Sequence, residues 1–328
     1  MKNYIKKIIY KISKYLLVDV ISETEEIKSK DYDYYLGLYR EIVNIGENNK
    51  IELGRVNRQM QIGREKEILK DLQKAEFKVF SQWGDDGIIQ FLINYLDIKN
   101  KSFIEFGVEN YRESNTRFLL INDNWTGLVF DCSENYINEI KASELYWKYD
   151  LIAAKAFITR ENINSLITMN GFKGEVGILH IDLDGNDYWI WKAIDVITPS
   201  IVIMEYVSVL GIENSYTIPY SNNFTRSEYH YTQSCYGSSL LSLCDLAKEK
   251  GYTFVGSNSA GNNAYFVKNS IKKDLKELTV EEGYVKSKFR EARDKEGKLS
   301  FVRDNKRREI IKGCKVYNTR TNKIETFK

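Results

Sequence analysis

Strands and helices alternate five times between Phe77 and Tyr206. That alternation predicts an α/β fold with a mostly parallel, seven-stranded sheet covered by helices on both faces. Two further observations support the prediction. Apolar strands end at or near carboxylates, Glu105, Asp131, Asp182 and Glu205, and an open parallel sheet binds its ligands outside the carboxyl ends of its strands. Two more strands, YTFVGSN and NAYFVK, then follow across the short loop SAGN, a hairpin edge that completes the count of seven.

Taken in order, GDDGIIQFLINYLDI (84–98) reads as a helix, SFIEFGV (102–108) as a buried strand and SNTRFLLIND (114–123) as a helix. GLVFDC (127–132) is a strand, SENYINEIKASELYWK (133–148) a helix and LIAAKAFIT (151–159) a strand, with a short helix near ENINSLITM (161–169). VGILHIDLD (176–184), DYWIWKAID (187–195) and PSIVIMEYV (199–207) give strand, helix and strand. Regularity stops at Gly211 and resumes with the helix GSSLLSLCDLAKEKG (237–251). The boundaries that follow are a charged helical extension at 1–76, a central domain at 77–269 with an insert at 211–236, and a charged extension at 270–328 that carries a candidate hairpin around KVYNTRTNKIETF.

The 328 residues are 43% apolar, enough to build a core, and the net charge of +2 gives no case for nucleic acid. Cys132, Cys235, Cys244 and Cys314 are too far apart for a zinc pair. They read as reduced cytoplasmic thiols, with Cys132 and Cys244 expected in the core. No run of eighteen apolar residues suggests a membrane span. Lysines alternate with isoleucines at helical spacing across residues 1–18. Two readings stand for this helix: a peripheral contact with an anionic membrane, at the inner face of the cell membrane, or packing on its own domain or in a homo-oligomer.

The first strand ends FIEFGVEN. A nucleoside cofactor needs a glycine that lets backbone approach it, a helix start and a second acidic residue for the ribose hydroxyls, here Gly107 and Asp131. Past Gly107, Val108, Glu109 and Asn110 stand where a dinucleotide fold places glycines for a pyrophosphate. An acidic, glycine-poor loop repels phosphate and suits a cation. S-adenosylmethionine carries a ribose, a sulfonium and an ammonium and no phosphate.

SQWGDDG (81–87), FIEFGVENYRESNT (103–116), WTGLVFDCS (125–133), HIDLDGNDYWIWKAI (180–194), PSIVIMEY (199–206) and YGSSLLSLCDLAKEKGYTFVGSNSAGNNAYFV (236–267) together resemble the FkbM-like S-adenosylmethionine-dependent methyltransferases associated with bacterial polysaccharide genes. The resemblance covers roughly residues 77–268. It implies a class I methyltransferase (Rossmann-like) sheet, a sugar or nucleotide-sugar acceptor for O-methylation in capsule polysaccharide biosynthesis, and a place for Gln82 above the cofactor. Asp182-Leu-Asp184-Gly185 replaces the family's D-x-E-G, which suggests a subfamily with its own acceptor or metal chemistry.

The expected cofactor contacts are Gln82, Glu105, Gly107, Asn115, Asp131 and Ser133, although Ser114 and Asn115 could instead cap a helix. Asp182, Asp184 and His230 are the expected catalytic residues, because an aliphatic hydroxyl needs a base or a metal to become nucleophilic. Asp182, Glu205 and His230 form the expected divalent-metal set, for Mg²⁺, Mn²⁺ or Fe²⁺. His180, the other histidine, reads as a buried core residue. Tyr216, Tyr220, Arg226 and Tyr231 of the insert, with Asn262, are the expected acceptor contacts, aromatic faces for a sugar and a guanidinium for a phosphate. A tyrosine-rich subunit interface is the other reading of the insert. Two alternative functions stand beside methyl transfer: an NAD-linked oxidoreductase of a nucleotide sugar, and a non-catalytic component of a polysaccharide assembly complex.

Overall fold

A computed structural model describes residues 29–303 and 305–328. The readings of residues 1–18 lie outside the described residues. By their internal contacts the chain divides into a unit ending at Glu52 and a unit from Leu53 to Lys328. Helix α1 runs Ser29–Gln61, and its last turns from Leu53 belong to the second unit. Among the described residues no helix is long and apolar enough to cross a membrane.

The second unit contains a seven-stranded sheet. Its strands are β1 (Ser102–Phe106), β2 (Thr126–Asp131), β3 (Leu151–Lys155), β4 (Gly174–Ile181), β5 (Ile197–Glu205), β7 (Tyr252–Ser257) and β8 (Asn263–Lys268), in the order β3-β2-β1-β4-β5-β8-β7. The first five are parallel, and β8 is antiparallel to both neighbours. This is the expected α/β, Rossmann-like, mostly parallel seven-stranded sheet. The chain winds outward from β1 to β3, then returns to β4 on the other side of β1. That reversal opens a crevice above the carboxyl ends of β1 and β4.

Both faces of the sheet are buried because its strands are apolar on both sides. One core holds Phe103, Val129 and Ile178 of the sheet with Ile88, Leu92 and Leu96 of helix α2 (Asp85–Leu96) and Leu119 of helix α3 (Arg117–Asp123). The opposite core holds Ile104, Leu128 and Leu179 with Ile163 of helix α5 (Ile163–Met169), Trp191 of helix α6 (Asp187–Ala193) and Leu243 of helix α7 (Leu240–Lys250). Helix α4 (Glu134–Ala142) follows β2, and Ser133 caps it by accepting from the backbone N–H of Tyr136.

The insert and the tail build a second sheet together. Strand β6 (Tyr216–Thr217) pairs antiparallel with β9 (Lys315–Asn318), which pairs with β10 (Lys323–Thr326), so the expected final hairpin forms. A third core, with Val207, Leu210, Tyr216, Cys235, Val316 and Phe327, lies under it. The cysteine expectation needs correction. Cys235 and Cys314 are buried, whereas Cys132 is exposed and Cys244 is only partly buried. Strand β2 ends at Asp131, so Cys132 already belongs to the loop.

Candidate functional site

A cleft of about 640 Å³ opens above the carboxyl ends of the parallel strands. Gln82, Glu105, Gly107, Asn115, Asp131, Ser133, Asp182, Asp184, Glu205, Arg226 and Asn262, all expected site residues, line it together with His180. His230, Tyr216, Tyr220 and Tyr231 are not among its lining residues.

Glu105, buried and next to last in β1, accepts five hydrogen bonds. They come from the Ser114 hydroxyl (2.5 Å), the Asn115 N–H (3.0 Å), the Thr116 N–H (3.2 Å), the Thr116 hydroxyl and His180 Nδ1 (2.8 Å). Burial opposes its charge, yet the hydrogen bonds and the His180 charge hold the carboxyl below its usual range. Strand register makes the pairing possible, because Glu105 lies directly opposite His180 across β1 and β4. Burial lowers the His180 pKa, but Glu105 outweighs it and the net shift is upward. His180 is thus the buried, hydrogen-bonded residue expected. Glu105 fixes the loop after β1 with the same oxygens that would otherwise meet a ligand. Ser114 and Asn115 serve that carboxylate, and Asn115 also meets His180 Nε2 at 3.1 Å. Neither caps α3, whose N-cap is Thr116.

Gly107 has φ of +74°, and a Cβ there would overlap the Asp182 carbonyl oxygen. The close approach that requires glycine is therefore to the backbone after β4. Asp131 is held by two backbone donors, Glu109 N–H on one oxygen (2.8 Å) and Ser133 N–H on the other (2.7 Å). Each oxygen keeps a second lone pair, so both can still accept from vicinal hydroxyls. The loop residue Glu109 adopts φ of +48°, a left-handed conformation uncommon for residues other than glycine, at this site.

Two more acids build the scaffold. Asp86 accepts from the N–H groups of Val79 (2.7 Å), Phe80 (2.9 Å) and Ser81 (2.8 Å), which sets the loop carrying Gln82 and Trp83. Asp187 accepts from Leu183 N–H (2.7 Å) and Gly185 N–H (2.9 Å) and so shapes the loop that carries Asp182 and Asp184. Burial raises each of the two carboxyls to about 6.

On the β4–β5 side the acids are under-supplied with donors. Ligand oxygens of Asp182, Asp184 and Glu205 all lie within 4.8 Å of one another. Burial, then Asp184, raise Asp182 to about 7. Burial, then Asp182 and Asp184, push buried Glu205 well above the usual carboxylate range. Tyr236 donates its hydroxyl to Glu205 at 3.2 Å. Arg226 spends its guanidinium on Asp184 (2.6 Å), on Glu291 and on the Gln233 carbonyl (2.7 Å), and lies over the Tyr236 ring at 4.2 Å. A fork so occupied leaves little for a phosphate.

The expectation that His230 joins Asp182 and Glu205 is corrected by the structure. The oxygen cluster consists of Asp182, Asp184 and Glu205. The short helix Arg226–Tyr229 sends Arg226 into the cleft and leaves His230 beyond its end, where Nδ1 meets the Thr232 hydroxyl at 2.7 Å and the ring packs on Tyr231. The three expected acceptor tyrosines have other partners. Tyr216 donates to Glu325 at 2.9 Å within the third core, Tyr220 donates to Glu161 beneath Arg160, and exposed Tyr231 packs against His230. Phe224, Tyr236, Phe289 and Glu291 line the cleft instead. Phe289 and Glu291 come from the tail, where no sequence signal marks them beyond an alternation of side-chain type across KSKFRE.

No family model matches the chain, and no curated protein matches it. Solved structures do resemble it at low identity. A putative caffeoyl-CoA O-methyltransferase from Staphylococcus aureus is 15% identical, with 65% of this chain and 99% of that one covered and a TM-score of 0.38. An O-methyltransferase from Bacillus cereus in complex with SAH is 14% identical, with 66% and 100% covered and a TM-score of 0.38. An O-methyltransferase family protein from Burkholderia thailandensis is 9% identical, with 67% and 71% covered and a TM-score of 0.35. The fold rests on the strand order and directions given above.

Proposed function

We propose that the chain is an S-adenosylmethionine-dependent O-methyltransferase whose acceptor is a sugar hydroxyl, in a bacterial surface polysaccharide or its nucleotide-linked precursor. The observation that carries the cofactor is Asp131, fixed at the end of β2 by Glu109 and Ser133 and facing a cleft whose neighbouring loop is acidic. A ribose diol suits that carboxylate, and a sulfonium suits the acidic lining. An NAD pyrophosphate would meet Glu109 and Glu113 in place of a glycine-rich cradle. The sugar acceptor is supported by the family resemblance and by the aromatic and carboxylate lining.

Transfer of the methyl group needs the hydroxyl oxygen in line with the sulfonium carbon and its proton removed. Asp182 is suited to take the proton, since a carboxyl raised to about 7 balances ionisation against basicity at neutral pH. Asp182, Asp184 and Glu205 offer the oxygen-only donor set that a hard divalent ion prefers. Such an ion, when bound, would lower the pKa of the acceptor hydroxyl. The chain's own residues orient the acceptor and receive its proton in either case. Calorimetry with S-adenosylhomocysteine and with NAD tests the reading: binding of the first alone is expected, and binding of NAD alone overturns it. Loss of turnover on adding EDTA, restored by Mg²⁺ or Mn²⁺, is the outcome expected if the ion takes part.

A further inference from the structure

We infer that the C-terminal segment Tyr284–Glu291 forms a wall of the acceptor site, with Phe289 and Trp83 as an aromatic platform for the apolar face of a sugar ring. The inference rests on the methyltransferase reading and adds a subsite to it.

The segment is built into the site. Val285 exchanges two hydrogen bonds with the Tyr206 hydroxyl, at 2.7 and 3.1 Å, and Tyr206 directly follows Glu205. The Ser287 N–H donates to the Ser208 hydroxyl at 3.1 Å, and the Tyr284 hydroxyl donates to the Ser208 carbonyl at 2.8 Å. A Cβ at Gly261, between β7 and β8, would meet the Val285 carbonyl oxygen at 2.5 Å. From this anchorage the side chains alternate as in an extended segment. Ser287 is buried and Phe289 and Glu291 line the cleft, whereas Lys286, Lys288 and Arg290 are exposed.

Phe289 stacks on Trp83 with centroids 6.3 Å apart and planes 23° from parallel. The Arg307 guanidinium, held by the Ser287 carbonyl at 2.9 Å, lies 5.2 Å from the Phe289 ring centre. Trp83 remains 38% exposed, a large apolar face left open at the mouth of a polar cleft. Glu291 joins Arg226, which joins Asp184, so the tail is tied through the insert to the loop after β4. Asp131 and the β5 exit lie three strand spacings apart, about 14 Å. The tail is therefore anchored beside the β5 exit, away from Asp131, which the cofactor's ribose is proposed to meet. Aromatic faces beside carboxylates suit a ring with C–H bonds on one face and hydroxyls around its rim.

Saturation-transfer NMR on the full chain loaded with S-adenosylhomocysteine tests this. The probes are D-glucose, D-galactose, D-mannose, L-fucose, L-rhamnose and N-acetyl-D-glucosamine. Transfer from protein to the ring C–H protons of at least one sugar is expected. It should fall at least about fivefold in Phe289→Ala and in Trp83→Ala, the scale of a lost aromatic contact. It should persist in Trp147→Ala, which removes an exposed indole away from the cleft. Failure of all six sugars on protein that binds S-adenosylhomocysteine, or transfer unchanged in a folded Phe289→Ala variant, overturns the inference. Absence of S-adenosylhomocysteine binding is a separate result and counts against the cofactor reading.

Discussion

The two ends of the cleft treat carboxylates in opposite ways. On the β1–β2 side Glu105 accepts five hydrogen bonds and Asp131 two, all from the protein. On the β4–β5 side three carboxylates crowd within 4.8 Å, Glu205 takes one hydroxyl, and of the three Arg226 bonds Asp184. Glu105, with its five donors, is held below the usual carboxylate range despite its burial, and it positions the loop after β1. Asp182 and Glu205, buried and crowded by like charge, have their pKa raised and can exchange a proton or take a cation. The first side therefore suits holding a cofactor, and the second suits chemistry at an acceptor.

The sharpest way to break that comparison is to remove the proposed base. Asp182→Asn is expected to lower turnover at least about 100-fold. Its carboxyl is raised to about 7, and only the ionised form accepts a proton. The wild-type rate should therefore climb as pH rises through about 7, and that limb should vanish in the variant. A steady-state pH profile checks both. A flat wild-type profile, or an active Asn enzyme, would place the chemistry elsewhere.

Gly107→Ala acts where the two sides meet. The residue sits at φ of +74° and a Cβ would collide with the Asp182 carbonyl. The strain alone is of order 1–3 kcal/mol, and the collision adds to it, so the upper part of that range is expected in thermal or urea unfolding. Unchanged stability would mean that the junction yields easily.

Asp131→Ala, by contrast, should spare the fold and weaken S-adenosylhomocysteine by about 1–3 kcal/mol, the scale of a lost hydrogen bond to a charged group. Titration calorimetry reads this directly. Full affinity in a folded variant would remove Asp131 from the cofactor site.

The same division explains what the sequence could tell. Glu105, Gly107 and Asp131 fall in one continuous strand, loop, helix and strand, and local pattern suffices to place them at strand ends. Even there the partner was hidden. That Glu105 would be spent on His180 depends on β4 lying beside β1, which is a matter of register. The acceptor side draws on the loop after β4, the end of β5, the insert and the tail, and the insert has only four-residue and two-residue elements of its own. Composition drew attention to its tyrosines, but three of them were claimed by Glu325, Glu161 and His230. Phe289 and Glu291 reach the cleft because Tyr206 and Ser208 pin the tail there, some eighty residues away in sequence. No local pattern encodes such a contact.

His230 gives the smallest expected effect. A histidine on an irregular loop is a reasonable general base from sequence, because its ordinary pKa lies near neutrality. The structure gives it a different setting. Its Nδ1 is engaged with the Thr232 hydroxyl at 2.7 Å, its ring packs on exposed Tyr231, and it does not line the cleft that holds Asp182 and Glu205. Partial burial lowers its pKa, so at neutral pH it is a neutral loop residue. His230→Ala should therefore change turnover by no more than about twofold, the range of a substitution away from the chemistry. The limb near pH 7 should stay in place, since Asp182 and not the imidazole produces it. A loss approaching that of Asp182→Asn, with the limb displaced, would show that the loop closes over the acceptor during turnover and brings His230 into the site.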